Sequence, residues 1–540
     1  MIAEAENTGP VPTQWYRDLG LWSDERIGHI LPKAAVRWPD RPFVRIGDDR
    51  LTFAQAWSKS LRMCAFLRDQ GVGPGDKIVL HTGNCIELVS LLFAAWRIGA
   101  VAIPVVPIYR VRELSAILDD SRPKLIVSAA RDRSRAPYQD VEEALQALPG
   151  FHPACFVVGD SSDRWQSLPD VDTLIAPDPC ELPEPAPADA PCLILYTSGT
   201  TSAPKGVLCS SNGILSGLDA WRDDLGLSIH DVTFTGAPLA HLGGIFLTAL
   251  LPVRLGGRSV ILPHWDAAEA VRIIEEEKVT LTAGATLFLR EIVERYERGE
   301  SPTHRLRMFS SSGSATPPEL VRRADDLGIY TFRSYGMTET FGTVAHPRFG
   351  APLEERAETD GRVAAGSEIE IVDEEGVPVP FGTVGSIRLR SPQATAGYTD
   401  VRLNRDQIDR DGWFYPGDLG TITADGLLTM VGRTKDIINR GGEKFSCQDI
   451  ESAITTHPAI AEAAVVGKPD ARFGEVVAAF VILHPGTRWD GPEALQAHLE
   501  AMKLARAKIP VEWHLIGALP RTASGKVQKQ ELLKLLDAQS

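Results

Sequence analysis

The stretch YTSGTTSAPKG, Tyr196 to Gly206, gathers serines, threonines, two glycines and a lysine into one short segment. Loops of this composition expose successive backbone N–H groups and hydroxyls that can surround phosphate oxygens, and Lys205 adds a full positive charge. The apolar run before it, Leu193 to Tyr196, predicts a strand leading into the loop. The pattern is not the G-x-x-x-x-G-K-[ST] phosphate loop, because Lys205 precedes its glycine. A short Ser/Thr cluster alone is more often a turn, but this one is much longer than a turn requires.

Further stretches follow along the chain: SSGSATP (Ser311 to Pro317), YGMTET (Tyr335 to Thr340), GWFYPGDLG (Gly412 to Gly420), GRTKDIINRGGEKFS (Gly432 to Ser446) and PRTASGKVQK (Pro520 to Lys529). In this order, the six motifs resemble those of the adenylate-forming superfamily, which includes acyl-CoA synthetases, luciferases and peptide-synthetase adenylation domains. The helix–strand alternation from about Leu51 resembles the family's N-terminal half, so the likeness covers nearly the whole chain. It implies ATP-dependent activation of a carboxylic acid to acyl-AMP with release of pyrophosphate, then transfer of the acyl group to coenzyme A. Such chemistry must hold a carboxylate and an α-phosphate together against their repulsion and stabilise extra charge on phosphorus. Two anions in contact need cations at a fixed place.

The resemblance assigns that task to Lys526. It places Thr197, Ser198, Gly199, Thr200, Thr201 and Lys205 in a mobile loop on the pyrophosphate side. Ser314 and Ala315 form an adenine wall, Tyr335 stacks on the base beside Gly336, and Thr338 contacts the α-phosphate. Glu339 becomes the Mg²⁺ ligand; one well-placed carboxylate suffices where substrate phosphates supply the remaining oxygens. Asp418 accepts from both ribose hydroxyls, and Arg433 donates to the same sugar. Taken without the resemblance, YGMTET is a strand end and a helix cap, and PGD is an ordinary turn.

For the acyl pocket the resemblance points to His241, in APLAHLGGIF, and to Gly313, whose small size allows close backbone approach. Trp221, Thr286 and Phe288 are further pocket candidates. A lone His among apolar residues is otherwise a satisfied core residue. Gly441, Gly442 and Lys444 are expected beside the tunnel of the incoming thiol. Lys435 is expected at the hinge on which the C-terminal domain rotates, bringing Lys526 to the adenylate or withdrawing it; the plain alternative is a charged linker residue. The stretch VPIYRVREL, Pro107 to Leu114, resembles subgroups acting on alicyclic, aromatic or medium-length acids.

Two positions depart from the family pattern. Pro416 stands where threonine is more usual, and Ser202 stands where glycine is. A serine narrows the backbone angles open to the loop and adds a hydroxyl, so Ser202→Gly is expected to change turnover only modestly. Restoration of activity from nothing by that substitution would mark the chain as a near-dead relative. Two other readings stay open. One is a stand-alone adenylation enzyme loading a carrier protein's phosphopantetheine; no carrier domain follows Ser540, so its acceptor would act in trans. The other is a degenerate adenylate-binding protein, against which Lys526, Glu339, Asp418 and Arg433 speak.

These side chains need a scaffold, and the rest of the chain predicts one. At 540 residues it exceeds one compact core, and its 44% hydrophobic and 24% charged content is ordinary for a globular protein. The formal net charge of −15 argues against a broad nucleic-acid footprint. Seven scattered cysteines, never spaced as CxxC, point to a reducing compartment without a disulfide framework or a zinc site. No secretory leader is evident at the start. The run from Leu88 to Pro107 is broken by Arg97, Gly99 and Pro104 and reads as a buried helix, a glycine and a short strand. The expectation is cytoplasmic, with small-molecule partners only and a homodimer left open.

An amphipathic helix is predicted over Phe53 to Asp69 and a strand over Lys77 to His81. PKLIVSA, ACFVVGD, PCLILYT and RSVILPH read as buried strands of largely parallel sheets. Ala176 to Pro191, rich in Pro and acid, is expected as a surface connection that holds no helix. Beyond Arg362 the texture is that of an antiparallel β subdomain, and a compact αβ pattern follows. The fold class is therefore α/β: a large N-terminal domain (1–434) with two mainly parallel α/β subdomains and a β subdomain, and a small mobile α+β C-terminal domain (435–540). The latter, at about 100 residues, can hold its own core.

Overall fold

The computed structural model describes residues 13–160, 165–197, 204–301, 306–314, 316–440, 443–470, 472–522 and 525–537. Expectations on Ser198, Gly199, Thr200, Thr201, Ser202, Ala315, Gly441, Gly442 and the Lys444 side chain lie outside the described residues.

The predicted alternation builds two seven-stranded sheets. One runs Tyr330–Arg333, Met308–Ser311, Leu281–Gly284, Val232–Thr235, Arg258–Ile261, Pro42–Ile46, Asp49–Thr52. The other runs Gln166–Ser167, Ala154–Val158, Leu125–Ala129, Lys77–His81, Val101–Pro104, Pro191–Thr197, Lys205–Ser210. Every pairing in each is parallel except the last. Strands such as Leu125–Ala129 are buried along their full length, which is why their sequences are unbroken apolar runs rather than alternations.

The helix Phe53–Asp69 starts where Thr52 and Gln55 form a reciprocal capping box. The apolar run from Leu88 resolves as expected into the helix Ile86–Arg97, buried on nearly all sides, then Gly99 at φ +76°, then the strand Val101–Pro104. Among the described residues no helix is long and apolar enough to cross a membrane.

The segment from Ala176 to Pro191 is the expected surface connection: most of its residues are exposed or half-buried, and it holds no α-helix, only the 3₁₀ turn Pro179–Glu181, but it is also clamped as a strap. Leu182 and Ala188 are buried, and Arg97 donates to the carbonyls of Pro183 (2.6 Å) and Pro179 (2.7 Å). A buried guanidinium must find acceptors, and these carbonyls supply them.

Beyond Arg362 the expected antiparallel sheet forms from Glu368–Val372, Gly385–Arg390, Asp418–Ile422 and Leu428–Arg433. The chain then leaves that sheet through the exposed turn Thr434–Asp436, which contains Lys435, and enters a different one at Ile437–Arg440. This second sheet, with Glu443–Ser446, Gly474–Leu483, Ile460–Asp470 and Glu512–Leu515, packs its own core of Ile438, Ile450, Val465, Val477 and Leu495.

Candidate active site

Three neighbouring parallel strands end side by side, in register Gly284 with Ser311 and Ser311 with Arg333. Open α/β sheets bind ligands beyond such carboxyl ends. The segments that leave them are the helix Thr286–Glu297, the turn Gly313–Ser314 and the strand Tyr335–Met337. Residues that are far apart in sequence therefore meet because register aligns their strands.

A hydroxyl network ties this floor together. Ser314 Oγ accepts from the Thr286 amide (3.2 Å) and lies 3.0 Å from Thr286 Oγ1. Thr286 Oγ1 in turn lies 2.9 Å from Thr316 Oγ1, which is 2.7 Å from Ser311 Oγ. Gly336 has a packing reason: a Cβ there would lie 2.0 Å from the Gly342 carbonyl oxygen on the paired strand.

On the antiparallel sheet, register also sets Asp418 opposite Arg433. Asp418 is 2% exposed, and its Oδ2 accepts from the Tyr335 hydroxyl at 2.7 Å. Arg433 Nε approaches Oδ1 to 3.1 Å, yet Oδ1 accepts no hydrogen bond among the described residues. A buried carboxylate oxygen without a donor is costly, so this atom is an acceptor waiting for a hydroxyl or N–H. Burial raises the Asp418 pKa against the opposing pull of Arg433, Tyr335 and Lys526.

Glu339 lies in the turn Thr338–Thr340, half-buried like its neighbour Thr338. Its Oε1 accepts from the Tyr398 hydroxyl at 2.8 Å, and no hydrogen bond reaches Oε2 among the described residues. The Tyr398 ring also faces Lys205 Nζ at 5.7 Å. The strand Lys205–Ser210 pairs with Pro191–Thr197, Thr197 opposite Lys205, and holds Tyr398 through Leu208 N–H to the Gly397 carbonyl (2.9 Å). Tyr398 was missed by sequence reasoning. Its sole local signal is the preceding Gly397, at φ +119°, and the pairing that places it spans almost two hundred positions.

Lys526 arrives from the C-terminal sheet on a small hairpin. Its amide donates to Thr522 Oγ1 (3.2 Å) and its carbonyl accepts from the Thr522 amide (2.8 Å). The side chain is partly buried within electrostatic reach of Arg433, Glu339, Asp418 and His241. Burial, reinforced by Arg433, lowers its pKa from the usual lysine value; Glu339 and Asp418 oppose the shift. Its stem fills the space beside Gly313, where a Cβ would stand 3.1 Å from Lys526 Cε and φ is +77°. Burial, with the Lys526 charge, pushes the His241 imidazole down to about 4, so the ring is neutral at pH 7. His241 caps a short helix, Leu242–Gly244, that widens into a π-helix over Ile245–Leu250 ahead of Pro252. Such turns are frequent at functional sites.

Two pocket candidates lie in packed surroundings. Trp221 is buried, donating to Thr343 Oγ1 at 2.7 Å and meeting Phe246 edge-on at 5.1 Å. Phe288 packs against Trp265 at 4.4 Å and over Gly284. Lys435 stands outside the cluster, in the connecting turn.

The chain matches two family models: AMP-binding enzyme over residues 31–399, and the AMP-binding enzyme C-terminal domain over 449–526. It is 30% identical over 526 residues to the medium-chain fatty-acid–CoA ligase of Escherichia coli (strain K12), covering 96% of this chain and 92% of that one. It is likewise 30% identical to the sulfoacetate–CoA ligase of Cupriavidus necator (strain H16) over 94% of this chain and 97% of the relative. Among solved structures, the anthranilate CoA ligase AuaEII in complex with anthranoyl-AMP superposes with a TM-score of 0.86 at 25% identity, covering 97% and 99% of the two chains. The α/β architecture, the grouped motif residues and these likenesses agree that the chain belongs to the AMP-binding, adenylate-forming enzyme family.

Proposed function

We propose that the protein is an ATP-dependent carboxylic acid–CoA ligase. The observation that carries this reading is that the C-terminal part of the chain sets the Lys526 side chain against Gly313, within electrostatic reach of Glu339, Asp418 and Arg433. A carboxylate oxygen of the acid attacks the α-phosphorus of ATP, the bond to the bridging oxygen breaks, and pyrophosphate leaves. Lys526 neutralises the approaching carboxylate and the charge growing on the α-phosphate, and Thr338 donates to the same phosphate. The free Oδ1 of Asp418 and the neighbouring Arg433 guanidinium suit the ribose hydroxyls, and Tyr335 packs against the adenine while its hydroxyl orients Asp418. The unclaimed Oε2 of Glu339 suits Mg²⁺ held mainly by substrate oxygens, and that ion would offset charge on the departing pyrophosphate.

In the second step the thiol sulfur of CoA attacks the acyl carbon, the thiol proton is lost, and AMP leaves. Lys526 is not needed there. We place the pivot between the steps at Lys435, in the turn between the two sheets, with Gly441, Gly442 and Lys444 on the face then presented to the thiol. The neutral His241 and Gly313 would line the acyl pocket, with Trp221 in the packing behind it.

The acid is proposed as alicyclic, aromatic or medium-chain. The relatives' names span a fatty acid, a sulfonated acid and an aminobenzoate at nearly equal identity, so a panel is the right test. ATP–pyrophosphate exchange across aliphatic, alicyclic and aromatic acids is expected to single out one class, and CoA should then drive AMP release. Absence of exchange with every acid would overturn the reading. Exchange with no CoA-dependent release would favour the carrier-protein acceptor.

A further inference from the structure

The hairpin that carries Lys526 is built by its own domain, yet an ion pair also ties that domain to the helix Thr286–Glu297. Arg521 donates through Nη1 to the Gly525 carbonyl at 2.7 Å, which braces the hairpin, and pairs through Nη2 with Glu462 on the strand Ile460–Asp470. The other oxygen of Glu462 takes a second cation from across the interface: Arg290 Nη1, at 3.1 Å. Side-chain exposure is 16% for both Arg290 and Glu462, so the pair is largely withdrawn from water.

Arg290 sits on the helix Thr286–Glu297, one turn after Thr286. Positions four apart share a helix face. That face therefore carries the hydroxyl that joins the Ser314 network at one end and the interdomain arginine at the other. Just ahead of the helix, Ala285 stands against Gly525, where a Cβ would come within 3.3 Å. The remaining charges facing Arg290 are Glu294 on its own helix, Arg521 across the interface and Arg323 on the helix Pro318–Asp326.

We propose that the Arg290–Glu462 pair is a latch between the two domains, and that Arg290 is a positioning residue for the adenylation half-reaction alone. This rests on the proposed two-step reaction. Glu462 is already balanced within its own domain by Arg521, so folding does not need the second arginine. The gain from pairing two partly buried ions is largely cancelled by the cost of drying them. A contact that must form and release in every cycle benefits from that near balance, since a strong one would hold the domain in place.

The test compares Arg290→Met and Arg290→Lys with the unaltered full chain in two assays: ATP–pyrophosphate exchange, and thioester formation from supplied acyl-AMP and CoA. In Arg290→Met the kcat of exchange is expected to fall about tenfold, as for loss of one modest interaction, with KM for ATP within about twofold. Thioester formation keeps its rate, and Arg290→Lys recovers a substantial part of the exchange loss. Equal losses in both assays, an unchanged exchange rate, or no recovery with lysine would each overturn the latch. Failure of the unaltered enzyme to exchange with any acid would instead overturn the underlying reaction.

Discussion

Lys526→Ala is expected to lower ATP–pyrophosphate exchange by about 10³-fold, the scale of losing one preorganised transition-state donor. Thioester formation from supplied acyl-AMP should keep most of its rate. The asymmetry follows from position. Lys526, tucked beside Gly313, comes within electrostatic reach of Glu339, Asp418 and Arg433 from the C-terminal part of the chain, and the proposed thioester step has no growing phosphate charge for it to meet. Equal loss in both half-reactions would sink the assignment. A second readout is pH. Burial and Arg433 lower the Lys526 pKa, and only the protonated form works, so exchange by the free enzyme should fall as pH rises through a value below the usual 10.5. Lys526→Arg, which stays charged, should lose that alkaline limb whatever its residual rate.

Asp418→Asn is expected to lower kcat/KM for ATP by about 10²-fold, carried mainly by KM, since hydrogen bonds to a charged group contribute roughly 1.5–3 kcal/mol. The carboxylate offers one buried oxygen with no hydrogen bond and another engaged by Tyr335. An amide replaces one acceptor oxygen by a donor and removes the negative charge, so the Tyr335 hydroxyl and the ribose hydroxyls would compete for one neutral oxygen. KM for the acid should stay within about twofold. The discriminating measurement is 2′,3′-dideoxy-ATP. The unaltered enzyme should prefer ATP strongly, and Asp418→Asn should lose most of that preference. A preference left intact would show that Asp418 does not read the ribose.

Much of this was legible in the chain. Helix Phe53–Asp69 announced itself by its apolar period, and the buried strands by short apolar runs between turn residues. The motif residues could be named because their short stretches resemble those of a known family; a lysine after a glycine or a carboxylate after a threonine is ordinary on its own. Tyr398, Arg290 and Glu462 could not. Each is an ordinary residue in its own neighbourhood and acquires a partner only when sheets and domains assemble. The strap from Ala176 to Pro191 was half legible. Its prolines excluded a helix, but nothing local shows that their carbonyls satisfy a buried Arg97.

The hairpin that joins Asp418–Ile422 to Leu428–Arg433 carries a further consequence. Asp418 faces Arg433 because of two things together: the residue count through the turn, closed by Thr423 and Leu427 with Gly426 at φ +84°, and a one-residue bulge at Val431 that shifts the register beyond Gly420. Strand side chains alternate, so adding or removing one residue there would swing Arg433 to the opposite face of the sheet. Exposed loops usually tolerate changes of length better than cores do. At this one the composition is negotiable and the length is not. An engineer looking for a place to insert a tag or open the chain should pass it by, because its spacing helps set which way the arginine beside Asp418 points.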